Sequence, residues 1–188
     1  MINRRLRKVD VGSCSYFDGN AHQVRYFLNA VYIGLGARIV MITNETRRFW
    51  GFRSISYLAS LFLMIFERKL HRMHLKLNDE HIRGRIMTVC IGSAKGYGLT
   101  PSAVPYNGWL DVSVIYRPEL LQLVSGLWML QHNRLLNHKT VKSYRTRKVQ
   151  LLRAQNSEVS LDGRLLLDKH YPLEVRILPE AVTLIIPE

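Results

Sequence analysis

Residues 159–167, VSLDGRLLL, place an acid, a glycine and a permanent cation in consecutive positions between two β-forming runs. An Asp-Gly pair in that setting predicts a two-residue hairpin turn. A carboxylate is a side chain that can do acid–base work, whereas a guanidinium stays protonated near neutral pH and cannot serve as a base. Asp162 and Arg164 are therefore the first candidates for chemistry. The competing reading is that Asp162 and Gly163 only close a hairpin and that Arg164 is an ordinary surface arginine. A second stretch, IGSAKGYGLTPSAVPYNGWLDV (91–112), holds the dense glycines of the chain. Lys95 within it is placed to meet a phosphate, although a loop lysine is more often simply solvated.

The elements that would carry these residues are mostly strands. KVDVGSCSYFDGNAHQVRYFLNAVYIG predicts a β-hairpin turned by Asp18-Gly19-Asn20, with VRYFLNAVYI as its β-rich second arm. RMHLKL alternates strictly: Met73, Leu75 and Leu77 on one side, Arg72, His74 and Lys76 on the other. Asn78-Asp79 turns it into RGRIMTVCIG, and WLDVSVIYRP adds a further strand. The last third reads as strands throughout: TVKSYRTRKVQLL, EVSLDGRLLL, YPLEVRILP and AVTLIIP, with Leu173, Val175 and Ile177 alternating against Glu174 and Arg176. Helices are predicted over 33–47, over 54–70 with Ser54 as N-cap, and after Pro118-Glu119 with Leu120, Val124, Leu127 and Gln131 on one stripe. The fold class that follows is mainly β with helices (α+β), an antiparallel β-sandwich with two or three helices packed on it, in one domain over 1–188.

Composition narrows the partners. The chain has 188 residues, 47% hydrophobic and 22% charged, enough to bury a core and unlike a disordered chain. Its formal charge is +13, from 27 Lys and Arg against 14 Asp and Glu, which suits anionic lipid surfaces, nucleic acid or phosphorylated ligands. Two distant cysteines, Cys14 and Cys90, make no disulfide framework or zinc motif and fit a reducing cytoplasm. The start lacks the apolar core of a signal peptide, and the longest apolar run, YLASLFLMIF, has ten residues where a bilayer span needs about 20. His71 and His74 fall on opposite faces of one strand and do not make a two-ligand site.

Three stretches in order carry a more specific signal: YFLNAVYIGLGARIV (26–40), IGSAKGYGLTPSAVPYNGWLDVSVI (91–115), and VSLDGRLLL followed by YPLEVRILPEAVTLIIP. Together they resemble the C-terminal domain of the diacylglycerol kinase and sphingosine kinase family, including its bacterial lipid-kinase members. Asn29, Gly34, Ala37, Pro101, Ala103, Gly108, Leu110, Asp111, Asp162 and Gly163 fall on that family's pattern, and VDVG at 9–12 resembles its segment leaving the nucleotide domain. The resemblance implies an enzyme that transfers the γ-phosphate of ATP to a lipid hydroxyl. Neither the family's G-G-D-G-T nucleotide loop nor a GxxxxGK[ST] loop is in this chain. The N-terminal ATP-binding domain is thus expected to be absent, and the chain to be inactive alone, with no tightly bound cofactor.

The resemblance also assigns roles. Lys95, Gly96, Gly98, Pro101 and Asn29 fall in its substrate and structural loops, and Asn29 is expected to make a structural bond as a buried amide in an apolar strand. The family's base is the Glu of a D-G-E turn, which here is Arg164, and Asp162 replaces it only if the turn shifts. A structural Mg2+ is implied at the carbonyls of Val104 and Trp109, but the family's aspartate there is Asn107, whose amide brings no charge. Basic clusters interleaved with aromatics, RRLRK, TRRFWGFR and ERKLHRMHLK, suit an anionic membrane interface, peripheral to the inner face of the membrane, or single-stranded nucleic acid. Three readings stay open: the lipid-side domain of a lipid kinase, a degenerate lipid-binding relative, and a basic β-rich nucleic-acid-binding protein. The substrate lipid is expected in a cleft or groove of the sandwich beside the helices over 33–47 and 54–70, and a homodimer is compatible with the sequence.

Overall fold

The computed structural model describes residues 5–39, 70–95, 99–116 and 139–186. Within them run eleven strands: β1 Arg5–Phe17, β2 His22–Phe27, β3 Ala30–Gly34, β4 His71–Leu77, β5 Glu80–Gly92, β6 Leu110–Tyr116, β7 Val141–Thr146, β8 Lys148–Ala154, β9 Val159–Leu161, β10 Arg164–Leu165 and β11 His170–Ile186. Every pairing among them is antiparallel. The mainly β reading holds. The predicted helices over 54–70 and after Pro118 lie outside the described residues, apart from Leu70, which is not helical. Of the helix expected over 33–47, Ile33 and Gly34 belong to β3 and residues 35–39 are helical.

The strands form one hydrogen-bonded network folded over on itself. One layer runs β2–β1–β11–β8–β4, and the other runs β10–β9–β3. β5 belongs to both: its first half pairs with β4 through Ile86, and its second half with β3 from Thr88. On its other side β5 pairs with β6, which pairs with β7. The inward faces of both layers make the main core, including Cys14, Phe27, Ile33, Leu75, Ile91, Val112, Leu151 and Leu173. A second cluster, with Ala30, Tyr32, Leu35, Met87 and Cys90, packs on the opposite face of β3 and β5. Strands buried on both sides lose the polar half of their alternation, which is why AVYIG in β3 is apolar and buried at every position. The β3 exit needs a glycine: Gly34 sits at φ 79°, and a Cβ there would lie 2.7 Å from the Met87 carbonyl oxygen.

Three predicted boundaries move. VRYFLNAVYI is two strands, broken at Leu28-Asn29, so β2 pairs with β1 while β3 crosses to β5 and β9. TVKSYRTRKVQLL breaks at Arg147 into β7 and β8. YPLEVRILP and AVTLIIP are instead one continuous strand, β11, with a bulge where Val9 faces Val182 and Val11 faces Leu178.

Candidate functional site

The Asp162 turn is built as its sequence predicts. Asp162 and Gly163 both take positive φ, 45° and 85°, and Leu161 pairs with Arg164, the geometry of a two-residue primed hairpin turn. What the sequence does not show is where the carboxylate goes. Asp162 Oδ2 accepts the Leu28 amide at 2.7 Å, and Oδ1 accepts the amides of Asn29 at 2.9 Å and Ala30 at 3.0 Å. The Asp162 amide in turn donates to the Ala30 carbonyl at 3.0 Å. This clamp breaks the predicted long strand: the chain leaves β2, offers three successive N–H groups to one carboxylate, and re-enters the sheet as β3.

Asn29 therefore departs from expectation. Its side chain is exposed on the bend and not buried in an apolar strand. Its backbone does the structural work, its carbonyl accepting the Ser93 amide at 2.9 Å and the Ala94 amide at 3.2 Å. The Ser93 hydroxyl, wholly buried, donates to the Leu28 carbonyl at 2.8 Å. The Thr100 hydroxyl donates to the Ala94 carbonyl, and Gly92 is required beneath it, since a Cβ there would lie 2.5 Å from Thr100 Oγ1. The Asp162 turn, the Asn29 bend and the loop carrying Lys95 and Pro101 are thus joined by consecutive hydrogen bonds. Lys95 is exposed at the start of that loop, and Pro101 is half-buried in its closing turn. Gly96 and Gly98 lie outside the described residues.

Arg164 stands exposed on the two-residue strand β10, one of the sheet's free edges, and makes no ion pair among the described residues. β2 is another edge among the described residues. Between them opens a groove of about 550 Å³ lined by apolar Leu161, Leu165, Leu166 and Leu167 and by the cations Arg25 and Arg164. Its acids are Asp18 and Asp168. Asp18 is committed to its own turn: its carboxylate accepts the Asn20 and Ala21 amides and the Gln23 side chain, and these bonds hold its pKa below the ordinary value.

The loop of Val104, Asn107 and Trp109 does not fit a divalent cation as the resemblance implies. Asn107 Oδ1 already accepts the Trp109 amide at 2.9 Å. Hard cations call for several oxygen ligands, carboxylates prominent among them. The carboxylate nearest in the hydrogen-bond network is Asp10, 2% exposed, and both its oxygens are used: Oδ2 accepts the Gly108 amide at 2.7 Å and Oδ1 the Glu180 amide at 3.0 Å. The Asp10 amide closes the set by donating to the Pro105 carbonyl at 2.7 Å. Arg7 stacks over Tyr106 at 3.7 Å and Arg147 over Trp109 at 4.8 Å. These contacts pin the loop to β1 and β11. Sequence reading missed the role of Asp10; its signal is a lone acid between two core valines, Val9 and Val11. Asp111, on the family's pattern, pairs with Arg145 at 2.8 Å.

No helix among the described residues is long and apolar enough to cross a membrane. The family model described as the YegS C-terminal NAD kinase beta sandwich-like domain matches residues 29–186. Proteins named "Probable lipid kinase YegS-like" from Pseudomonas savastanoi pv. phaseolicola and Pseudomonas syringae pv. tomato are each 28% identical, over 81% and 74% of this chain and 50% and 46% of theirs. The chain thus spans about half the length of the curated relatives it matches. Among solved structures, a diacylglycerol kinase from Bacillus anthracis superposes with a TM-score of 0.56 at 13% identity, over 95% of this chain and 53% of that one. Yeast NADH kinase does so with a TM-score of 0.52 at 10% identity, over 93% and 41%. That family model covers more than four fifths of the chain, so the chain belongs to the family of YegS C-terminal, NAD kinase-like β-sandwich domains.

Proposed function

We propose that this chain is the lipid-side domain of a lipid kinase, holding a lipid alcohol in the groove between the β2 and β10 edges while a separate nucleotide-binding domain presents ATP. The observation that carries this reading is the groove itself: four leucines line it together with two arginines, and its rim is the turn where the resemblance puts the family's base. Diacylglycerol, sphingoid and polyprenol-type alcohols all have an apolar body and a primary hydroxyl, which such a groove suits. Location at the inner face of a membrane belongs to the same reading.

A second reading, a relative that binds lipid without phosphorylating it, is favoured by one specific arrangement. Arg164 cannot accept a proton, and Asp162 cannot replace it because its oxygens already accept three amide hydrogens. Asn107 likewise contributes no charge to a metal. Phosphoryl transfer needs positioning, charge neutralisation and a proton acceptor, and this chain's turn supplies only the first.

Two measurements separate the readings. The purified chain is expected to bind a fluorescent short-chain diacylglycerol in detergent micelles, and Leu165→Asp in the groove wall to weaken that binding about tenfold. Absence of binding, or binding indifferent to Leu165, overturns both readings. When the chain is joined to a relative's nucleotide domain, Arg164→Glu is expected to raise lipid phosphorylation from ATP by about 10²-fold or more, the range of a general base. An unchanged rate favours the purely binding relative.

A further inference from the structure

The outward face of the β5–β4–β8 end of the first layer is rich in cations. β4 contributes Arg72, His74 and Lys76, and β5 contributes His81, Arg83 and Arg85. The register sets Arg72 directly opposite Arg85, while Arg83 and Arg153 flank His74 from its two sides. His74 accepts the Arg83 Nε–H at 3.1 Å and is hydrogen-bonded to His81 at 2.8 Å, and desolvation with the neighbouring Arg83 and His81 holds its pKa below the ordinary value. Like charges directly across a sheet destabilise it, so a folded chain keeps the Arg72–Arg85 pair only where solvent or a partner supplies the counter-charge. None of Arg72, Lys76, Arg83, Arg85 or Arg153 has an acidic partner among the described residues. The nearest acid on this face, Glu174 of β11, is spent on Lys148 and Arg176. Asp79 sits at the hairpin tip, and Glu80 alternates to the opposite face.

Beyond Ser13 and Ser15 of β1, the same outward face ends at β2 with exposed apolar side chains, Val24 at 51% and Tyr26 at 66%. That edge is also the rim of the lipid groove. At the basic end, Arg72 and Arg85 share a hollow of about 580 Å³ with Leu70, His71, Gln155 and Asn156, two guanidinium groups beside two amides. Cations at one end and an apolar, aromatic edge at the other, about 20 Å away across four strand spacings, suit a face laid along a bilayer interface, the cations on headgroup phosphates and the edge side chains inserting beside them. A nucleic acid would use the cations but leave the apolar edge in water.

We propose that this sheet face docks the protein on an anionic bilayer, with an acidic phospholipid headgroup seated between Arg72 and Arg85 and the β2 edge at the acyl boundary, so that the groove opens onto the membrane. The surface rests on the lipid-side reading above, and it names where and by what charge the domain meets the membrane.

Vesicle co-sedimentation tests it. The chain is expected to bind vesicles of phosphatidylcholine with 30% phosphatidylglycerol and not pure phosphatidylcholine, with binding falling as salt rises. Each surface-adjacent cation contributes roughly fivefold, so Arg83→Glu with Arg85→Glu, both exposed, is expected to lower partitioning at least tenfold. Lys139→Glu with Lys142→Glu, the same change in net charge outside this face, is expected to lower it less than twofold. Equal losses in the two pairs, equal binding to both vesicles, or binding of single-stranded RNA without any vesicle binding overturns the proposal. Micellar diacylglycerol binding, measured on the same variants, separates the failures. If it persists while vesicle binding is absent, only the docking face falls; if it too is absent, the lipid-side reading falls with it.

Discussion

Asp162 shows how a residue picked for its acid can be kept for its geometry. Its carboxylate collects three successive amides where the chain jumps from one sheet layer to the other, and its backbone takes a left-handed φ that most residues resist. Asp162→Ala is therefore expected to cost about 2–3 kcal/mol, read as a lower urea midpoint at unchanged slope, and Asp162→Asn, which keeps one acceptor oxygen, about half that. A midpoint unmoved in the alanine variant would mean that the clamp is not holding the bend. The turn itself was legible, because Asp-Gly between β-formers encodes a primed turn locally. The clamp was not, because its donors lie more than 130 residues away in sequence. Asn29 was misplaced for the same reason: in VRYFLNAVYI every local cue says strand, and the break is imposed from outside.

At the scale of elements, the strands with one wet face were the readable ones. β4 shows the expected alternation, Met73, Leu75 and Leu77 buried and Arg72 exposed, because one side meets the core and the other water. β11 kept its pattern over Leu173–Ile177 but ran on past Pro179, since Glu180 takes a positive φ and donates its amide to Asp10 across the bulge. β11 also carries a titration that stability should report. Burial pushes the Glu174 carboxyl up, but hydrogen bonds from Lys148, Arg176 and Gln150 outweigh it and hold the pKa at about 2. The folded value is depressed, so the unfolded chain binds more protons between pH 2 and 4.5; the stabilisation is complete above that window and is lost as pH falls through it. Glu174→Gln is expected to cost about 1–2 kcal/mol at pH 7, after allowance for surface screening, and almost nothing near pH 2. Urea midpoints of the two proteins that stay equally separated at pH 7 and pH 3 would contradict this assignment.

At the scale of the whole molecule, β5 gives the domain its unity, since one strand serves both layers and neither can slide past the other without breaking it. The sandwich was legible from the count of alternating strands, but this sharing was not, because period-2 patterning says which face is buried and not which neighbour covers it. The first and last strands are paired along nearly their whole length, Arg5 directly opposite Ile186. A circular permutant that links those ends and opens between Asn78 and Asp79 is accordingly expected to fold, with unfolding free energy within about 2 kcal/mol of the parent; a disordered product in circular dichroism would refute it. The same pairing has a mechanical side. Anything fused through both ends would hang from a double strap, free to swing where the strap flexes but unable to spin about either strand alone, so approach and retreat would be coupled to bending of that one ribbon.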